Sequence, residues 1–163
     1  METEIVEISE ITMKGVSRQF DGEGFETRES LRNLMWSEAY DDVPGVISGG
    51  HRWNEPNSTA LDGVWYGVWH DGRYMIARGA ADVAADGLET YTLPAGRYAV
   101  FYSDVGKPAW EEFPRLWELI FDTWLPASGY RTNGSDVIEV LHLWTDYEQR
   151  RANKRYELWV PVK

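Results

Sequence analysis

Apolar and polar residues alternate over short segments through most of the chain, which is the pattern of β-strands that bury one face. The segments with this pattern are residues 4–12, 14–20, 64–70, 73–79, 89–93, 96–103, 136–144 and 155–162. Between two of them, the sequence His70-Asp71-Gly72-Arg73 is typical of a tight hairpin, because Asp-Gly suits a type I′ turn. We therefore expect a β-sheet to make up much of the fold.

Two segments instead repeat apolar residues with the period of a helix. Residues 25–36 carry a narrow apolar stripe, and residues 110–124 carry a wider one. In the second segment, Pro114 is expected in the first helical turn, and Pro126 with Gly129 is expected to end the helix. The stripe of that helix consists of Phe113, Leu116, Trp117, Ile120, Phe121 and Trp124.

The chain contains an internal repeat, found as four weak matches in the same order. The matched pairs are residues 14–20 with 95–101, 25–36 with 110–121, 68–71 with 143–146, and 73–77 with 155–159. Two copies, about 1–83 and about 88–163, are therefore expected in a single domain. The fold class predicted is α+β: a tandem, pseudo-twofold βαββ repeat with an antiparallel sheet, two helices on one face and a ligand groove on the other.

Composition narrows the classes of function. The net charge of −11 argues against direct binding of a nucleic-acid backbone and favours attraction of cations. Cysteine is absent, and His51, His70 and His142 lack the spacing of metal ligands, so no metal, cofactor or catalytic residue is predicted. No apolar run approaches a membrane span and no signal peptide is visible, so a cytoplasmic protein without membrane contact is expected.

Glu139 lies in the middle of an apolar strand, and burying its carboxylate costs several kcal/mol unless something compensates the charge. The compensation could be a lysine of the protein, a raised pKa of the carboxyl group, or a positively charged guest. Strand alternation predicts that Glu139 and Glu157 both point to the face that the helices leave uncovered, with Trp159 beside Glu157. By the repeat, Tyr66 and Met75 should line the opposite wall. The alternatives are that these glutamates face water or pair with Arg97, Lys154 or Arg155.

The second half of the chain resembles the GyrI-like small-molecule-binding domain, which is also the effector-binding domain of multidrug-sensing transcription regulators. The resemblance rests on Pro94-x-Gly96-x-Tyr98-Ala99, on Trp124-Leu-Pro-x-Ser-Gly-Tyr130, on Glu139, and on Glu157 with the closing Pro161-Val162. The chain is also similar to the stand-alone drug-binding modules carried on integron cassettes. The resemblance implies a tandem βαββ fold whose central groove binds bulky amphipathic cations, using a carboxylate on its floor and surrounding aromatic rings.

The resemblance also implies which residues form the site. The family's groove glutamates fall on Glu139 and Glu157, but its frequent tyrosine two residues after the first is replaced by Leu141. An aromatic ring must then come from Trp159, from Tyr66, or from Trp53 on the long loop 41–63. The complete candidate set is Glu139, Glu157, Trp159, Tyr66, Leu141, Met75, Trp53 and Tyr98.

Three classes of function follow, with binding of lipophilic cations as the principal one. The regulators of the family carry a helix-turn-helix domain that is not expected here, so a drug-sensing or sequestering module acting with a separate regulator is predicted. The first alternative is a modulator of a protein partner such as gyrase, and the second is a hydrolase that uses a groove glutamate. A homodimer through open strands 4–12 or 73–79 is a further alternative, and loop 41–63 is either a lid or disordered.

Overall fold

The computed structural model of the protein describes residues 2–20, 28–40, 63–82, 87–143 and 155–163. Trp53, Lys154 and residues 41–62 of the long loop lie outside the described residues, so the predictions made for them stay predictions.

The strands form a single eight-stranded antiparallel sheet. Their bounds are β1 Glu2–Ile8, β2 Ile11–Gln19, β3 Gly63–His70, β4 Arg73–Gly79, β5 Glu89–Leu93, β6 Gly96–Tyr102, β7 Val137–Leu143 and β8 Tyr156–Pro161. These bounds agree with the predicted segments except at the first two strands, where the break falls between Ile8 and Ile11. The predicted hairpin is confirmed, since Asp71 and Gly72 both have positive φ, of 49° and 71°.

The order of strands across the sheet is β1-β6-β8-β7-β3-β4-β2-β5. Exchanging each strand of the first half with its counterpart in the second half reverses this order, as a pseudo-twofold axis between β3 and β7 requires. The α+β fold class predicted from the sequence is therefore confirmed. The division into copies at about residues 83 and 88 stays a prediction. The described edges of the sheet are β1 and β5; β4 pairs on both sides, so residues 73–79 are not the open edge that the sequence suggested.

Helix α1 spans Arg28–Tyr40 and helix α2 spans Ala109–Glu118. A π-helical segment, Leu119–Trp124, continues α2 into the short helix α3, Leu125–Ser128, and a 3₁₀ turn covers Ala80–Asp82. Two expectations for the second helix were wrong. Pro114 lies inside α2 because that helix begins at Ala109, and Pro126 lies in the first turn of α3, so the chain stays helical until Gly129, with φ 81°, ends it.

Both faces of the sheet are apolar and each carries its own core. Residues of α1, α2 and the π-helical segment pack on one face, which we call the helix-covered face. The other face buries side chains from β2, β3, β4, β5, β6 and β7 in one cluster, because the sheet is strongly curled and the strands approach one another across its inner side. We call this the inner face. The cluster there comprises Met13, Val68, Met75, Ala77, Tyr91, Leu93, Tyr98, Val100, Ile138 and Val140.

Candidate functional site

Glu139 lies on β7 with its side chain fully buried, at 0% exposure. Its carboxylate accepts hydrogen bonds from four side chains. Oε1 accepts from the Tyr74 hydroxyl at 2.9 Å, and Oε2 accepts from the indole nitrogens of Trp69 and Trp117, each at 3.0 Å. The fourth donor is Arg32, and the carboxylate is thus bonded on both oxygens.

Arg32 supplies the counter-charge from helix α1 and is itself only 2% exposed. Its Nε lies 2.8 Å from Oε1 and 3.0 Å from Oε2 of Glu139, and its Nη2 forms a further, short contact with Oε2. Burial alone lowers the pKa of Arg32, but the charge of Glu139 and its hydrogen bonds raise it, and the net shift is upward. Arg32 therefore stays charged in the folded protein, and the question of what compensates Glu139 is answered by this arginine, 107 positions away.

The three neutral donors come from three different elements. Trp69 is on β3, Tyr74 on β4 and Trp117 on α2, and the first two are neighbours through the β3–β4 register. Gly67 on β3 lies opposite Glu139, where its missing side chain leaves room for the Tyr74 hydroxyl. Burial and the nearby Glu139 raise the pKa of Tyr74 well above its ordinary value, so the phenol keeps the proton that it donates.

The orientation predicted for Glu139 was wrong. Glu139 shares the helix-covered face with Leu141, whereas Glu157 and Trp159 point to the inner face. The sequence correctly predicted which side chains of β7 share a face. Both faces of this strand are apolar, however, so polarity could not indicate which of them the helices cover. The two glutamates therefore belong to two different sites.

A cleft of about 310 Å³ is lined by two of the residues that bind Glu139, whereas Glu139 itself is fully buried and is not among the described residues that line it. Its walls include the rings of Trp69 and Trp117, whose N–H groups bind Glu139, together with Phe20 and Phe121. The cleft is also lined by Arg28, His70, Asp71, Gly72, Arg73, Thr132, Gly134, Ser135, Asp136 and Val137. Its rings meet in stacked and edge-on pairs: Trp117 stacks on Phe121 at 5.2 Å between ring centroids, and Trp69 meets Trp117 edge-on at 6.3 Å.

Asp136, a lining residue of this cleft just before β7, contacts residues of two other strands, β3 and β5. His70 Nδ1 lies 2.9 Å from both oxygens of Asp136, and the Tyr91 hydroxyl donates to Oδ2 at 2.7 Å. Burial and this hydrogen bond raise the pKa of Tyr91. These contacts hold the end of β7 against β3 and the edge strand β5.

Glu157 belongs to a smaller polar patch on the inner face and is 15% exposed. His142 Nε2 lies 2.6 Å from its Oε2, and the Trp159 indole donates to its Oε1 at 3.2 Å. Tyr66 meets Trp159 edge-on, with 5.9 Å between ring centroids. This patch brings together three members of the candidate set.

Two further members of the set, Met75 and Tyr98, are buried in the inner-face cluster, against which Tyr66 and Trp159 also pack. Leu141 lies apart from them, in the helix-covered core. Trp53 lies outside the described residues. Sequence reasoning missed Arg32, Trp69, Tyr74 and Trp117 as partners of Glu139. One signal was present for the pocket they form, because a glycine inside an apolar strand, Gly67, indicates a close approach of another group.

Within the described ranges, no cluster of three or more acidic, histidine or cysteine side chains has the arrangement of a metal site. The described helices are all too short or too polar to cross a bilayer.

Several solved structures share this fold over nearly the whole chain. SAV2435, solved bound to tetraphenylphosphonium, is 22% identical with a TM-score of 0.67, covering 100% of this chain and 94% of that one. An integron cassette protein from Vibrio cholerae, VCH_CASS2, is 11% identical with a TM-score of 0.56, covering 99% and 95%. The C-terminal domain of EcmrR is 15% identical with a TM-score of 0.52, covering 99% and 97%.

At such identities these likenesses establish the fold, and no curated protein matches the chain in sequence. The family is shown instead by a family model, that of the GyrI-like small-molecule-binding domain. It confirms the resemblance drawn from the sequence and agrees with a binding rather than an enzymatic function. Because that model matches residues 1–163, the chain belongs to the family of GyrI-like small-molecule-binding domains.

Proposed function

We propose that this domain binds bulky amphipathic cations in the cleft beside Trp69 and Trp117, with the Glu139 carboxylate as the counter-charge beneath those rings. The observation that carries the proposal is the fully buried carboxylate of Glu139, whose compensating cation is a single guanidinium held among aromatic rings. A neighbour of the same fold, SAV2435, was solved with the lipophilic cation tetraphenylphosphonium, which supports the same class of ligand here.

The physical properties of the cleft suit such a ligand. Its volume of about 310 Å³ lies at the lower end of the range for small-molecule sites. A cation over the face of a tryptophan gains about 0.5–2 kcal/mol. On Trp117 a ligand would take the place of the Arg28 guanidinium, whose carbon lies 4.1 Å from the ring centre. The net charge of −11 raises the local concentration of cations and repels anions of the same shape.

The inner-face patch of Glu157, Trp159 and Tyr66 is the second candidate site, as the sequence proposed. It is favoured by one observation: the Glu157 carboxylate is partly accessible and lies beside two aromatic rings. A ligand there would meet a carboxylate already bonded to His142 and Trp159, so its charge is shared before binding.

The test compares tetraphenylphosphonium with tetraphenylborate, which has the same shape and the opposite charge. Binding is followed by quenching of tryptophan fluorescence and by calorimetry, and we expect saturable binding of the phosphonium alone. Equal binding of the borate would overturn the proposal that charge selects the ligand.

Variants then locate the site. Trp117→Leu removes a wall of the cleft and should weaken phosphonium binding at least about tenfold, equivalent to 1.4 kcal/mol. Trp110→Leu is the matched control, since Trp110 lies on the same helix, is 65% exposed and does not line the cleft. If Glu157→Gln weakens binding while Trp117→Leu does not, the inner-face patch is the site.

A further inference from the structure

Helix α1 carries two arginines four residues apart, and both lie on the tryptophans that bind Glu139. The guanidinium carbon of Arg28 lies 4.1 Å from the centre of the Trp117 ring, and that of Arg32 lies 5.8 Å from the centre of the Trp69 ring. Residues at i and i+4 share one face of a helix, so α1 presents both guanidinium groups to the same aromatic surface. Arg28 lines the cleft, whereas Arg32 lies deeper, against Glu139.

The contacts of Arg32 are those that a bound guanidinium ligand would make. Its Nε and Nη2 meet the two oxygens of Glu139, and its guanidinium carbon lies 5.2 Å from the centre of the Phe113 ring. The fit is incomplete on one side, since Nη1 is buried and no acceptor for it is found among the described residues. A buried N–H group without an acceptor lowers the stability of this arrangement.

The donors that remain to Glu139 without Arg32 are all neutral: Trp69, Tyr74 and Trp117. Their hydrogen bonds occupy both carboxylate oxygens but supply no positive charge. Withdrawal of Arg32 would therefore leave a buried carboxyl group between aromatic rings without a counter-charge. A guanidinium or amidinium can replace both N–H contacts in one plane, whereas an ammonium offers a point charge in another geometry.

We infer that the Glu139 site is built for a planar, delocalised cation and that Arg32 is its resident occupant, so that a guanidinium or amidinium ligand competes with helix α1 for Glu139. The inference rests on the proposed function and specifies its ligand class and its control. Competition of this kind reduces the apparent affinity for a ligand by the fraction of molecules in which Arg32 has left the carboxylate.

The experiment uses the full chain and three probes: benzylguanidine, benzamidine and benzylamine. Arg32→Ala removes the resident cation, and its melting temperature should fall below that of the wild type. Both planar cations should raise it again in the low millimolar range, and benzylamine should raise it much less. By calorimetry the planar probes should bind Arg32→Ala at least about tenfold more tightly than the wild type, a difference of 1.4 kcal/mol.

The matched control is the double variant Arg32→Ala/Glu139→Gln, which removes both charges and should lose the preference for planar cations. A second measurement does not depend on the folding of the alanine variant. In the wild type, the Nε–H proton of Arg32, assigned by comparison with Arg32→Lys, should shift when benzylguanidine saturates the site, because the carboxylate exchanges one guanidinium for another.

Equal binding of the planar probes to the wild type and to Arg32→Ala, or an unmoved Arg32 resonance at saturation, would overturn the inference. Tetraphenylphosphonium separates this failure from that of the proposed function. If tetraphenylphosphonium binds the wild type, while the planar probes bind the wild type and Arg32→Ala equally well, the proposed function stands and competition by helix α1 is wrong. If it binds no variant while benzamidine stabilises Arg32→Ala, the site is specific for planar cations and the broader proposal fails.

Discussion

Gly67 and Tyr74 share one space on the helix-covered face of the sheet. A Cβ atom at position 67 would lie 2.2 Å from the Tyr74 hydroxyl oxygen and 2.8 Å from the ring carbon that bears it. That hydroxyl donates to Glu139 at 2.9 Å and accepts a hydrogen bond from the Trp36 indole at 2.9 Å. The absence of a side chain at Gly67 therefore sets the position from which Tyr74 reaches the buried carboxylate.

Gly67→Ala should destabilise the protein by about 1–3 kcal/mol, because the added methyl group displaces the Tyr74 ring and lengthens its hydrogen bonds. The measurement is the free energy of unfolding in urea. Gly96→Ala is the matched control: Gly96 is also in a strand, but an added Cβ there meets open space, so its effect should stay within about 0.5 kcal/mol.

The same relationship predicts that Gly67→Ala and Tyr74→Phe are not additive. Tyr74→Phe removes the oxygen that the new methyl group would strike, so the double variant should lose less than the sum of the two single losses, by at least about 0.5 kcal/mol. Additive losses would contradict the shared space.

Glu139→Gln should cost about 3–5 kcal/mol of unfolding free energy, because it leaves the buried guanidinium of Arg32 without its counter-charge. A Glu139 on the face that the helices leave uncovered, as the sequence predicted, would instead tolerate this change without unfolding. The double variant Arg32→Met/Glu139→Gln should recover much of the loss, since it removes both charges. Glu157→Gln is the control on the inner face and should cost only about 1 kcal/mol, the worth of its hydrogen bonds. A stable single Glu139→Gln variant would contradict the buried pair.

Local patterns were enough to predict the strands, the helices and the repeat. Alternation and turn residues mark the strands, and the observed strand order is symmetric about the β3–β7 pair, as two copies of one unit require. Alternation also placed Glu157 and Trp159 together on one face of β8, where the structure has them. These features depend on neighbours in sequence or on the symmetry of the repeat.

The partner of Glu139 could not be found in this way. On β7, Ile138 and Val140 face one core while Val137 and Leu141 face the other, so hydrophobicity does not say which side the helices cover. Arg32 lies in a helix whose apolar stripe is narrow, and a charged residue beside such a stripe is usually solvated. Only the packing of α1 over the sheet brings these two charges together.

Glu112 is a second buried carboxylate; it lies in the first turn of α2 and accepts hydrogen bonds from a backbone N–H group and an arginine. It is 1% exposed, accepts the backbone N–H of Asp104 at 2.9 Å and accepts Arg115 Nε at 2.6 Å. Glu112→Ala should therefore cost about 1–3 kcal/mol through an unsatisfied N–H and a lost charge-assisted bond. The exposed neighbour Glu111, changed to alanine, should shift stability by no more than about 0.5 kcal/mol in the same denaturation assay. Equal effects of the two changes would contradict the role of Glu112.

High pH should unfold the protein through its tyrosines. Burial and neighbouring carboxylates raise the pKa of Tyr74 and Tyr91, and burial with the Glu4 hydrogen bond raises that of Tyr102 to about 12, above the ordinary value of 10.0. A phenol with a raised folded pKa keeps its proton while the unfolded chain loses it, so its contribution is complete below pH 10 and is lost as pH rises above it.

We expect the absorbance of tyrosinate and the loss of circular dichroism to rise together above pH 10 for the buried rings. Tyr102→Phe removes one of the late-titrating groups, so the stability of that variant should fall less steeply between pH 10 and pH 12 than that of the wild type. If every tyrosine ionised near its ordinary pKa while the circular dichroism stayed native, the hydrogen bonds of Tyr74 to Glu139 and of Tyr91 to Asp136 would not hold in solution.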